Sequence, residues 1–266
     1  MPKTLAALVL TAWLAPMPAA VPWETKLDRA SAAALARNQP MLIEFWAVAC
    51  EGCREMDRDV YVDERVAAAM AKVRPVKIDV DRDKVAARKY DIAATPTIVV
   101  TDSFGGELVR TVGALSAERL LQLLGALPAD VGAINRLAAA ARKKDDFAAL
   151  ADLGRELRAA GFYRASSGAY ERALGSPDGR RPGAARTAVL VDLERNALEL
   201  RRFADAARFA AQALAAGDDP DVAVDLGRAL GELGKRDEAD RVLRQVVGRH
   251  AGTPAAAAAA RLLAGR

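Results

Sequence analysis

The chain's two cysteines enclose a single dipeptide, Cys50-Glu51-Gly52-Cys53, between an apolar run and a helical pattern. No other feature limits the fold as much. Ahead of them Met41-Leu42-Ile43-Glu44-Phe45-Trp46 reads as a short buried strand, entered through Asn38-Gln39-Pro40, where the proline stops a preceding helix over Thr25–Asn38. Behind them Arg54-Glu55-Met56 opens another helix. A cysteine where a strand yields to a helix meets free N–H groups and the positive end of the helix dipole, which favour a thiolate. The spacing lets the second sulfur close a small disulfide and release a mixed-disulfide partner. Half of a zinc site is the competing reading, but with 2 Cys and 1 His no second pair exists to complete four ligands. A purely structural disulfide across so short a loop would restrain little chain. Redox chemistry is the expectation for Cys50 and Cys53, with no metal and no cofactor.

The elements around the pair suit a mixed sheet. Val73–Val80 reads as a second strand, Lys84–Tyr90 as a helix and Thr97–Thr101 as a third strand. Gly105-Gly106 makes a hairpin turn into Glu107–Val112, and Ala117–Leu124 closes the region as a helix. This βα then ββα order argues for a sheet covered by helices on both faces.

Several short motifs together resemble thioredoxin: Glu44-Phe45-Trp46-Ala47 before the pair, Thr95-Pro96-Thr97 before a strand, and Val112-Gly113-Ala114-Leu115-Ser116 near the end. The helix after the pair, through Asp59-Val60-Tyr61-Val62-Asp63-Glu64-Arg65-Val66, is similar to the C-terminal periplasmic domain of transmembrane thiol:disulfide interchange reductases. The resemblance covers roughly residues 23–126. It implies an α/β thioredoxin-like fold, with Cys50 attacking, Cys53 resolving and a Cys50–Cys53 disulfide in the oxidised form. Glu44 falls at the buried acid that moves a proton to or from the resolving thiol, a task suited to a carboxylate raised by burial. Its alternative is a strand residue reaching solvent at an edge. Pro96 matches a cis-proline that leaves the backbone of Thr95 free to pair with substrate, and Trp46 packs beside the site or is plain core. Two departures stand out: Ala49 replaces a tryptophan, and Glu51-Gly52 replaces Gly-Pro. Glu51 should oppose a Cys50 thiolate, and Gly52 should loosen the helix start.

Residues 1–20 carry Lys3, an apolar stretch from Leu5 to Leu14 and the small-residue exit Ala15-Pro16-Met17-Pro18-Ala19-Ala20. These are the three parts of a secretory signal, too short for a bilayer span of about twenty residues. Neither cleavage after Ala20, which puts Pro18 three residues back, nor after Ala19, which puts Met17 there, gives a clean Ala-x-Ala site; an uncleaved anchor or a disordered tail is the alternative, and no nearby cysteine offers a lipid anchor. A periplasmic or secreted location follows, where disulfides persist. The net charge of +4, from 39 basic and 35 acidic residues, shows no basic block interleaved with aromatics, so no nucleic-acid partner is expected.

After the break Gly125-Ala126-Leu127-Pro128-Ala129-Asp130 the strand signals cease and the pattern turns helical. Leu153-Gly154, Leu193 and Leu226-Gly227 begin matching series. Leu193 to Leu226 and Ala206 to Ala239 are each 33 residues apart, while Leu153 to Leu193 is 40, a loop at Gly175–Gly183 accounting for the excess. The series resembles tetratricopeptide repeats, in units at about 147–180, 187–219 and 220–253 with Pro254–Leu263 as a cap. A generic helical bundle is the alternative. The expected organisation is a leader (1–20), a thioredoxin-like domain (21–128) and an all-α repeat domain (129–266). His250 reads as a surface or helix-end residue.

Two functions remain in view. One is an exported thiol:disulfide oxidoreductase, leaning to reductase. It acts on protein thiols and disulfides, with a protein or peptide partner on the repeats and a membrane electron donor. The other is a non-catalytic scaffold whose cysteine pair is a redox-sensitive clip.

Overall fold

The computed structural model describes residues 21–144 and 146–265; the leader expected over residues 1–20 lies outside them. Helix α1 (Leu27–Leu35) is shorter than the expected Thr25–Asn38. At its start Glu24 instead forms a bridge with Val76, and at its end Asn38 turns to φ 51, which ends the helical hydrogen bonding. Strand β1 (Met41–Trp46) then leads into helix α2 (Glu51–Glu55), which runs on as a π-helical turn (Met56–Val60) before α3 (Glu64–Met70). Strand β2 (Arg74–Asp79), helix α4 (Lys84–Lys89), strands β3 (Thr97–Thr101) and β4 (Glu107–Val112), and helix α5 (Ala117–Ala126) follow.

The sheet order is β2-β1-β3-β4, with β1 parallel to β2 and antiparallel to β3, and β3 antiparallel to β4. Side chains alternate across β1. Met41, Ile43 and Phe45 pack with Ala30 and Ala34 of α1 and with Ala86 of α4 on one face. Leu42 packs on the other, with Met56, Val60, Leu120 and Leu124. Glu44 shares that second face, so the strand aims it under the helix that carries the cysteines.

The rest of the described chain is helical. Helix α6 (Gly132–Lys143) precedes three helical hairpins, α7 (Phe147–Ala159) with α8 (Tyr163–Gly175), α9 (Ala184–Glu199) with α10 (Phe203–Leu214), and α11 (Pro220–Glu232) with α12 (Arg236–Arg249). Helix α13 (Pro254–Ala264) ends the array. Each hairpin turns in the same way. Gly161, Arg201 and Gly234 take φ 80, 54 and 76, and the next N–H reaches back to the carbonyl of Leu157, Ala197 or Leu230 at 2.8, 2.8 and 2.9 Å. This is the glycine-type helix stop, which Arg201 enters despite its side chain.

Helix α6 joins the two regions. One apolar core runs from Val100 and Leu108 through Leu120 and Leu124 to Val131, Ile134 and Ala138, and on to Leu150, Leu153 and Ala169. Buried Asn135 pins the joint: its Oδ1 accepts from Ser103 N–H at 3.1 Å and its Nδ2 donates to Ser103 Oγ at 2.9 Å. The Val131 N–H donates to the Asn38 carbonyl at 2.8 Å, and the Arg142 guanidinium donates to the Phe104 carbonyl at 3.0 Å.

Candidate redox centre

Cys50 caps the N-terminus of α2, with its own backbone extended at φ −83 and ψ 107. Its Sγ accepts the Cys53 N–H at 3.1 Å, so the sulfur occupies the position where a serine or aspartate cap would sit. Cys50 and Cys53 are joined as a disulfide. Both cysteines are buried, Cys50 with 8% of its surface exposed and Cys53 with 1%, so Cys50 is the less enclosed of the two. Flanking it, Val48 is largely exposed.

The Thr95–Pro96 peptide is cis. Its loop is tied down on both sides: the Pro96 carbonyl accepts the Gly113 N–H at 2.8 Å, and Thr97 Oγ1 donates to the Ala94 carbonyl at 2.7 Å. The backbone of Thr95 makes no hydrogen bond among the described residues. Pro96 and Ala114 close on Gly52. A Cβ there would come within 3.3 Å of Pro96 Cδ and 3.2 Å of Ala114 Cβ. Where looseness is expected from Gly52, its missing side chain instead admits the proline to the cysteine loop.

Glu51 is exposed beside the pair. It forms an ion pair with Arg54, which donates a second hydrogen bond to the Val48 carbonyl at 2.8 Å.

Glu44 is completely buried in the middle of the sheet rather than at an edge, and neither carboxylate oxygen has a hydrogen-bond partner. In register opposite it on β2 stands Lys77, whose Nζ lies 3.5 Å from Glu44 Oε2 and also pairs with Asp57 of the π-helical turn. Tyr61 turns its hydroxyl toward the same carboxylate without reaching hydrogen-bond geometry. Burial pushes Glu44 up to about 7; the Lys77 ammonium opposes the rise and Asp57 adds to it. Trp46 is half-buried, with its ring over Lys77 Nζ at 5.6 Å. The fold thus gathers Cys50, Cys53 and Pro96 around Gly52 and sets Glu44 on the same face of the sheet, while Trp46 belongs to the Lys77 cluster. Sequence reasoning missed Lys77, Asp57 and Tyr61. The available signal was a lysine in the middle of a buried strand. Among the described residues no group of three or more His, Cys, Asp or Glu side chains could hold a metal.

A disulfide at a strand-to-helix junction, faced by a cis-proline on a mixed four-stranded sheet, defines a thioredoxin-like fold. Residues 27–128 match the family described as a thioredoxin-like domain. The chain is 32% identical over 105 residues to the thiol:disulfide interchange protein DsbD of Ralstonia nicotianae, covering 38% of this chain and 17% of that protein. It is 29% identical over 101 residues to thioredoxin of Streptomyces clavuligerus, covering 38% of this chain and 90% of that one. Among solved structures, the reduced C-terminal domain of Neisseria meningitidis DsbD aligns at 23% identity and a TM-score of 0.34, over 37% of this chain and 91% of that domain. The chain spans less than a fifth of the DsbD relatives, 17% in the first case. Residues 129–266 lie beyond the matched family segment.

Proposed function

We propose that this protein is an exported thiol:disulfide oxidoreductase that works as a reductase on protein disulfides. One observation carries the reading: a cysteine pair at a helix start, its first member less enclosed than its second, with a buried carboxyl that burial raises to about 7 on the same face of the sheet. In the reduced protein the Cys50 thiolate attacks a client disulfide, forming a mixed disulfide and releasing one client thiolate. Glu44, as carboxylate, takes the Cys53 proton. The Cys53 thiolate then attacks Cys50 Sγ and releases the second client thiolate, which collects a proton. Two electrons pass to the client and the Cys50–Cys53 disulfide remains. A dithiol donor resets it, and a membrane protein of the interchange class is our candidate. The backbone of Thr95 pairs with the client segment, Pro96 bears on the cysteine loop, and Trp46 supports the site through Lys77.

The helical array serves as a docking domain of the tetratricopeptide type. Its three hairpins with a shared turn geometry support this, and its client or partner is a protein or peptide. A periplasmic location is supported by the signal pattern of residues 1–20 and by the interchange proteins among the relatives.

Insulin reduction with dithiothreitol as donor tests the catalytic half. Wild type should exceed Cys50→Ser by at least about 100-fold, and Glu44→Ala should lose about 10- to 100-fold near pH 7. Equal rates for wild type and Cys50→Ser would sink the enzyme and leave a scaffold with a redox-sensitive clip. Trapping with Cys53→Ser in cell envelopes would identify clients as disulfide-linked species.

A further inference from the structure

Residues ahead of the matched family segment are built into the redox centre. The Glu24 N–H donates to the Pro75 carbonyl at 3.0 Å, and the Lys77 N–H donates to the Glu24 carbonyl at 2.8 Å. This short addition to the sheet grips β2 at Lys77 from the side opposite β1, and it carries Trp23 with it. The Trp23 ring lies 5.4 Å from Lys77 Nζ and packs edge-on against Tyr61, with centroids 4.9 Å apart at 81°. Tyr61 and Trp46 complete the enclosure at 5.5 and 5.6 Å. The ammonium is ringed by three aromatic faces and two carboxylates, and only 14% of its side chain is exposed. On the solvent side Trp23, Trp46, Val48 and Lys26 line a groove of about 680 Å³. Lys77 shares that lining, so the Trp23 ring beside it limits how much of the Lys77–Glu44 pair the groove reaches.

We propose that Trp23 is a positioning residue for thiol exchange: by capping Lys77 and bracing Tyr61 it keeps water from Glu44 and so sets the pH at which Glu44 trades a proton with Cys53. The inference rests on the oxidoreductase reading. The titratable groups facing Glu44 are Lys77 from β2, Asp57 from the π-helical turn and Tyr61 just after it. Removing the ring has two opposed effects. A loosened Lys77 withdraws its attraction and lets Glu44 rise, whereas admitted water relieves burial and lets it fall. Lys77 keeps Trp46, Tyr61 and Asp57 around it when the Trp23 ring is gone, so its attraction changes little and the admitted water sets the direction, a fall.

The test follows the Glu44 carboxyl by carbon-13 NMR across pH in the full oxidised chain, beside the pH profile of insulin reduction. Trp23→Ala should move the Glu44 midpoint down by roughly one pH unit, with the rate profile moving by the same step. Trp23→Leu, which keeps an apolar plug but no ring, should move it the same way by less, and it carries the test if the alanine variant does not fold. A merely structural tryptophan would lower the melting temperature and leave both profiles in place. An unmoved Glu44 midpoint in a folded, active variant overturns this inference alone. Wild-type turnover no greater than that of Cys50→Ser overturns the oxidoreductase reading and the exchange role together, and is told apart because the NMR midpoint needs no turnover.

Discussion

Glu194 should make the helical array lose stability as pH rises through neutrality. It lies on α9 at the position where the flanking hairpins carry glycine. A Cβ on Gly154 would meet Tyr170, and one on Gly227 would meet Leu243, each at 2.6 Å. At the same offset along the chain from Glu194 stands Ala210, so the middle hairpin has traded a large residue on its second helix for one on its first. The trade fills space but buries a carboxyl: Glu194 and Ala210 are both fully buried, and neither Glu194 oxygen has a hydrogen-bond partner. Burial, with Asp225 adding to it, pushes Glu194 from 4.5 to about 8, against the pull of Arg195, Arg228 and Arg158. Between those two values the unfolded chain gives up its proton while the folded chain keeps it, so stability falls as pH rises and levels off above about 8. At about 1.4 kcal/mol per pH unit the ceiling is about 5 kcal/mol, and residual solvation of the site reduces this to about 2–3 kcal/mol. Glu194→Met keeps the volume and removes the proton. Urea titrations of the whole chain, followed by circular dichroism at 222 nm, should show the variant's advantage over wild type growing by that amount between pH 5 and pH 8.5. The comparison cancels the contribution of Glu44, which has the same sign. A difference constant within about 0.5 kcal/mol across that range would refute a buried, proton-holding Glu194.

Two further perturbations probe the joints of the fold. Asn135→Ala strips Ser103 N–H of its partner inside the joint between sheet and array, and should cost about 2 kcal/mol in thermal or urea unfolding; unchanged stability together with unchanged hydrogen exchange at Ser103 would count against the joint. Gly227→Ala drives a methyl into Leu243 and should cost about 1–3 kcal/mol, with Leu243→Ala in the same chain recovering part of the loss in a double-mutant cycle.

The elements that could be read from the sequence were those with local boundaries. Strands β1, β3 and β4 fall on the expected residues because Pro40, Pro96 and Gly105-Gly106 mark their ends. The inserted loop at Gly175–Gly183 likewise falls between α8 and α9. What escaped depends on partners distant in sequence. Lys77 becomes a partner of Glu44 only through the β1–β2 register, and Asp57 reaches Lys77 from the π-helical turn, which no local pattern announces. Gly52 reads as slack until Pro96 is brought against it. Helix α6 precedes the first expected repeat unit, and its buried Asn135 looks like an ordinary helix polar residue until Ser103 is placed beside it.

The joint at Asn135 bears on how the two regions work together. Strand β1 delivers the chain to Cys50 at its C-terminal end. The antiparallel β3 starts beside Pro96 and finishes at Thr101, next to the turn that holds Ser103 and Phe104. Asn135 and Arg142 of α6 grip that turn, so the array is fastened at the end of the sheet away from the disulfide. A five-residue strand spans roughly 17 Å. The fastening itself therefore leaves the cysteine end open, and a client segment held near the joint would need about five extended residues to present its disulfide to Cys50. Since α6 shares one core with both neighbours, that distance is held by packed side chains rather than by a free linker. Lengthening the chain between α5 and α6 would relax it only by first breaking the core, which makes the array a fixed support for the redox centre.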